Sequence, residues 1–139
     1  MRAFIEAKVK FKKQMQNGKI KEVSEPYLVK ALSFTEAEAR VTEEVRPYIS
    51  GEFSVSAVTK SNVIEVFYDP EGDFWYKVKA NFISLNEKTN TEKLTSSYYL
   101  VQAHDFRSAY DNFLKGMKDT MADFTIASIT ETKIMDVFE

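Results

Sequence analysis

FSVSAVTKSNVIEVF, residues Phe53 to Phe67, lies without a gap over FTIASITETKIMDVF, residues Phe124 to Phe138, at a separation of 71 positions. Phenylalanine stands at both ends of both copies and Thr59 meets Thr130. Val55/Ile126, Val58/Ile129, Val63/Ile134 and Glu65/Asp136 keep side-chain type. Two further blocks recur in the same order. YLVKALSF (Tyr27 to Phe34) overlies YLVQAHDF (Tyr99 to Phe106) at 72 positions, and Phe4, Ala7, Lys8 and Phe11 overlie Trp75, Val78, Lys79 and Phe82 at 71. Three blocks in one order identify a duplication. The 139-residue chain therefore reads as two α+β repeats, residues 1–70 and 71–139, joined through the turn-forming Tyr68-Asp-Pro-Glu-Gly-Asp73 and packed as one compact two-repeat domain.

Each copy opens on a period-two pattern. Ile5, Ala7, Val9 and Phe11 alternate with Glu6, Lys8, Lys10 and Lys12, and Tyr76, Val78, Ala80 and Phe82 repeat the arrangement. Side chains reverse at every residue of a strand, so each pattern predicts one buried and one solvated face. Asn17-Gly18 and the Asn86 to Asn90 region supply the turns, and Tyr27-Val29-Ala31 and Tyr99-Val101-Ala103 the return strands. The period then becomes helical: Phe34, Ala37, Val41 and Val45 in one copy, Phe106, Ala109, Phe113 and Met117 in the other. Ser33 with Glu36, and Asp105, are placed to cap these helices, with Pro47, Gly51 and Gly116 near their ends. The opening block after each helix breaks its alternation near Thr59 and Thr130, as one bulged strand or as two strands joined by a tight turn. The expected fold is α+β, a tandem pseudo-twofold repeat of strand-strand-helix-strand units with a fourth strand in question, helices packed on antiparallel sheet.

Composition narrows the chemistry. There are no cysteines and one histidine, which removes disulfides, thiolate nucleophiles and Cys- or multi-His metal centres within one chain. No apolar run approaches 18 residues and no leader pattern is present, so a cytoplasmic protein with no membrane partner is expected. His104 sits beside Asp105, where it can serve proton transfer or a metal, yet its repeat counterpart is Leu32. Ser33, Ser96 and Ser97 have no recognisable base. Asp111, Asp119 and Asp123 lack calcium-loop spacing, and Gly116-Met117-Lys118 is no phosphate loop. No cofactor, metal site or enzymatic activity is expected.

The net charge of −2 is not that of a dedicated polyanion binder. Residues 1–30 depart from it, with Arg2, Lys8, Lys10, Lys12, Lys13, Lys19, Lys21 and Lys30 against Glu6, Glu22 and Glu25. Lys8, Lys10 and Lys12 share one strand face, so with Arg2 they form the candidate nucleic-acid-binding stripe; the same lysines also serve a solvated sheet face. The second copy keeps Lys77 and Lys79 but has Asn81 next. Trp75, Tyr76, Phe82, Tyr98 and Tyr99 offer stacking surfaces and equally suit a core.

EPYLVKALSFTEAEAR (Glu25 to Arg40), RPYISGEF (Arg46 to Phe53) and GMKDTMADFTIASITETKIMDVF (Gly116 to Phe138) together resemble the Bacteroidota domain-of-unknown-function family 4494 over nearly the whole chain. The resemblance implies a small bacterial or phage-associated protein, Bacteroides-like in origin, and brings no catalytic or binding residues with it. It favours a regulatory, nucleic-acid-associated or assembly role in a mobile-element context. Together with the residue inventory, this predicts a noncatalytic protein-interaction, regulatory or assembly module. Its partner is another protein or a second copy, and nucleic-acid binding through the N-terminal basic strand is the alternative.

Overall fold

The computed structural model describes residues 2–139. Strands β1 (Ala3–Gln14) and β2 (Ile20–Ala31), helix α1 (Phe34–Val45), a 3-10 turn (Arg46–Tyr48) and β3 (Phe53–Lys60) make up the first repeat, followed by β4 (Val63–Phe67). The second repeat runs β5 (Phe74–Asn86), β6 (Thr91–Ala103), α2 (Phe106–Gly116), β7 (Phe124–Glu131) and β8 (Val137–Phe138). The α+β class and the duplicated strand-strand-helix-strand plan are as the sequence predicts.

Sheet order is where the repeats depart from simple tandem beads. One sheet runs β3-β1-β2-β8 and the other β4-β6-β5-β7, so the fourth strand of each repeat joins the sheet of the other. Each joins in parallel, Val29 beside Phe138 and Val66 beside Leu100, whereas the three home strands are antiparallel. The compact units are accordingly the stretch through Ser61 with Lys133–Glu139, and Asn62–Thr132. The crossing begins at the same bond in both copies. Ser61 N–H donates to the Phe4 carbonyl at 3.0 Å, and Thr132 N–H donates to that of Trp75 at 2.9 Å.

Both readings of the opening block hold at once. Val55 and Val58 both turn inward although they are three apart, which a regular strand forbids. Register against β1 slips so that Val9 faces Val55 and Lys8 faces Ala57, leaving Ser56 as the extra residue; Ala127 is its counterpart between Ile126 and Ser128. The strand then ends, and a separate one begins at Val63.

Helix α1 lays Ala37, Val41 and Val45 on Ile5, Ala7, Val9, Val29 and Ala31. Helix α2 lays Phe113 and Met117 on Val78, Ala80, Tyr99 and Val101, with Ala109 against Tyr76 and Ala103. Phe34 and Phe106, expected in these stripes, are instead 53% and 58% exposed, because each is the first residue of its helix and lies before the turn that reaches the sheet. Ser33 Oγ accepts from Glu36 N–H at 3.1 Å, while the Glu36 carboxylate accepts from Leu32 N–H rather than from the cap itself. Asp105 and Ser108 complete a reciprocal capping box. In the hairpin of the first unit Gly18, at φ 81, follows a turn in which its own N–H donates to the Met15 carbonyl.

The expected connection at Tyr68–Asp73 is an ordered turn. Asp69 accepts from Asn112 of α2 at 2.9 Å, its own N–H donates to the Gln102 side chain at 3.0 Å, and Gln102 donates to the Gly72 carbonyl at 3.0 Å. Glycine is required there: a Cβ on residue 72 would stand 2.6 Å from the backbone of Ala103.

The two cores differ in one decisive side chain. Phe113 of α2 is fully buried with ring centroids 5.3 Å from Tyr99, 5.9 Å from Phe124 and 6.1 Å from Phe67. Its counterpart in α1, 72 positions earlier, is Val41. Truncating Phe113 to Ala is expected to cost about 3–5 kcal/mol, and Val41→Ala clearly less, since far fewer buried atoms are removed. Urea unfolding followed by the fluorescence of Trp75, which is buried in the second unit, checks this.

Candidate interaction cleft

The first unit carries a cleft of about 700 Å³ where the 3-10 turn after α1, the return of β2 and the incoming β8 segment meet. Its apolar walls are Phe11, Tyr27, Val45, Ile49, Met135 and Phe138. Tyr27 and Phe138 stack at 5.5 Å with planes 14° apart. The segment leading into β8 is held by two backbone bonds, Met135 N–H to the Pro26 carbonyl at 2.9 Å and Leu28 N–H to the Asp136 carbonyl at 3.1 Å. Arg40 of α1 donates to the Glu139 carbonyl at 3.2 Å and pairs with Glu44 at 2.9 Å.

Polar groups gather at one wall. Tyr27 Oη donates to Glu25 at 3.4 Å, and Asp136 stands close enough for its charge to act on the phenol. Burial first, then the Glu25 charge and its hydrogen bond, then Asp136, push the Tyr27 phenol up to about 12. The hydroxyl is protonated at neutral pH and directs its proton at Glu25. Tyr48, 87% exposed, forms the outer lip.

The second unit contains the same rings and closes over them. Phe82, Tyr99 and Phe67 are the counterparts of Phe11, Tyr27 and Phe138. Phe67 stacks on Tyr99 at 5.7 Å, Phe82 meets Phe124 at 5.7 Å, and Phe113 fills the space between. A hollow of about 500 Å³ remains beside α2, lined by Phe67 but by neither Phe82 nor Tyr99.

Two members of the expected basic stripe carry carboxylate partners. Arg2 pairs with Glu36 at the start of α1, 2.7 Å away, and Lys10 pairs with Glu22 at 2.9 Å. Lys8 and Lys12 stay exposed on the sheet face away from α1, and Lys10 and Lys12 line a hollow of about 590 Å³ together with Glu22. Six residues of extended chain, about 20 Å, separate Arg2 from Lys8. Trp75, Tyr76 and Tyr99 are buried, and Lys77 lies 5.1 Å over the Tyr98 ring. His104 is exposed, its Nδ1 2.8 Å from Ser108 Oγ and 3.7 Å from Asp105, beside the capping box. Hydrogen bonds from Ser108, backbone first, hold the Asp105 carboxyl below its ordinary range. Among the described residues no group of three or more His, Asp or Glu stands close enough to hold a metal ion, and no helix is long and apolar enough to cross a membrane.

Sequence reasoning missed the cleft. Its walls come from both repeats' sequences, and the available signal was the replacement of an aromatic by Val41 at one aligned helix position.

Geometry and repeats define a class: a duplicated α+β protein whose two units exchange their last strands, the first bearing a cleft beside its packed core. The chain belongs to the family described as a domain of unknown function (DUF4494), whose model matches residues 3–139. No curated protein and no solved structure matches it.

The raised Tyr27 phenol has a pH consequence. Its neutral form is favoured by folding, so its contribution is complete below the ordinary value near 10 and is lost as pH rises from there through about 12. Stability measured by urea unfolding at stepped pH is expected to fall less steeply across that window in Tyr27→Phe than in the parent chain.

Proposed function

We propose that this chain is a noncatalytic interaction module that receives part of a protein partner in the cleft of its first unit. The observation that carries this reading is the contrast between the twins. Equivalent aromatic rings are consumed by packing around Phe113 in the second unit, and line an accessible concavity beside Val45, Ile49 and Tyr48 in the first. Aromatic and aliphatic walls with a few oriented polar groups suit an apolar side chain flanked by a hydrogen-bond donor, which the Tyr27 hydroxyl oxygen can accept while its own proton is directed at Glu25. Removing the partner-facing lip should matter more than removing an exposed ring elsewhere. Tagged parent chain recovered from the native host is expected to retain a defined partner that Tyr48→Ala with Ile49→Asp loses and Tyr110→Ala in α2 keeps. A chain that retains no protein partner, or a partner indifferent to the cleft, overturns the reading.

A second reading rests on the end of the first hairpin. Lys12, Lys13, Lys19 and Lys21 are all exposed there, with Lys13 directly opposite Lys21. Like charges across a strand pair are unfavourable alone, and a phosphate backbone would relieve them. This moves the nucleic-acid surface from Arg2/Lys8/Lys10 towards the hairpin end. Single-stranded oligonucleotide binding titrated across ionic strength should lose affinity with a slope of about −0.7 per phosphate contact. Lys12→Gln with Lys13→Gln and Lys19→Gln should flatten that slope, and absence of binding at low salt removes the reading.

A further inference from the structure

The outer edge of β2 is covered only in part. β8 pairs with Leu28 and Val29, a bond from its leading segment reaches Pro26, and among the described residues the sheet order gives β2 only β1 and β8 as neighbours. Residues 20–25 therefore have β1 on one side and no strand on the other among the described residues. Because Pro26 C=O and Leu28 N–H point outward, alternation makes Ile20, Glu22 and Ser24 the positions whose backbone groups face the open side. Pro26 marks the boundary: it has no N–H to offer, and its carbonyl is already taken.

We infer that this edge pairs with the same edge of a second copy, antiparallel and centred on Val23. The sequence Lys21-Glu22-Val23-Ser24-Glu25 selects both the partner and the register. Two identical antiparallel edges must be centred on one residue. Centring on Lys21, Glu22 or Glu25 sets a like charge against itself, which is unfavourable. Centring on Ser24 sets Lys21 opposite Tyr27 and Glu25 opposite Val23, so neither charge meets its opposite. Centring on Val23 sets Lys21 of each copy opposite Glu25 of the other, Val23 opposite Val23, and Glu22 opposite Ser24 with both backbone groups exchanged. Lys21 already faces Lys13 across the hairpin, so the carboxylate of the second copy also relieves that like-charge pair.

The second unit lacks this complementarity. The equivalent positions of β6 are Lys93, Leu94, Thr95, Ser96 and Ser97, and the corresponding register offers no opposite charges. The inference goes beyond the cleft reading, since it assigns the neighbouring edge and names its occupant. Ser24 does not line the cleft, so its substitution tests the edge alone.

A short edge belongs at the weak end of protein interfaces. Sedimentation equilibrium of the full chain is therefore run from about 1 μM to about 1 mM, the span of weak dissociation constants. The parent mass should rise towards twice that of one chain. Ser24→Pro removes an outward N–H without touching the β1 ladder and should weaken association at least tenfold, as should Lys21→Glu or Glu25→Lys alone. Mixing these two charge variants should restore association, because every charge pair in the mixed dimer is again opposite. The chain has no cysteine, so Val23→Cys gives an independent reading of register. It should form a disulfide-linked dimer on mild oxidation, and Lys19→Cys should not. A parent chain monomeric throughout overturns the inference. So does association indifferent to Ser24→Pro and to both charge variants, or equal cross-linking of the two cysteine variants.

Discussion

Everything in this fold depends on the two parallel pairings that β4 and β8 make with the sheet of the other repeat. Three antiparallel strands and a helix leave the outer edge of each return strand open, and an open edge is the costliest feature a small sheet can keep. Each repeat covers part of that edge of the other with the strand that its own sheet cannot use. The exchange makes each compact unit a composite of two stretches of ancestry, and it brings Met135, Asp136 and Phe138 to the wall of a cleft whose floor belongs to the first repeat.

Duplication supplied two equivalent cores, and their divergence is readable as a difference in filling. Phe113 organises Phe67, Tyr99 and Phe124 around itself, so the second unit uses its aromatic rings as ballast. Val41 organises nothing comparable. The Tyr27 and Phe138 rings stack with each other and present their remaining surface to the cleft, where burial and two carboxylates keep the phenol protonated. The twins therefore differ in where their aromatic rings end, around Phe113 in the second unit and along the cleft in the first.

Much of this was legible in the residues. Alternation in Ile5 to Phe11 and Tyr76 to Phe82, the helical stripes ending in Val45 and Met117, and the capping serine and aspartate all follow from local stereochemistry, which neighbouring residues determine. The exceptions are non-local. Nothing within Val63 to Phe67 announces that it will pair with β6 rather than β1, because a parallel partner is chosen by which edge is vacant. Arg2 read as part of a basic stripe because its carboxylate partner, Glu36, lies 34 residues away at a helix start. The cleft was hidden for both reasons, since it needs the exchanged strand and the smaller helix residue together.

The exchange also imposes an order on the emerging polypeptide. The second unit is one uninterrupted stretch, Asn62–Thr132, whereas the first is left unfinished at Ser61 and completed only by Lys133–Glu139. Val29 and Phe138 are 109 residues apart and Val66 and Leu100 only 34, a difference in loop-closure entropy of about 1 kcal/mol. On the ribosome the half made first is therefore the half finished last. It waits with a bare edge while its twin is synthesised and closes, and Lys133–Glu139 complete it only after the whole of the second unit has been made.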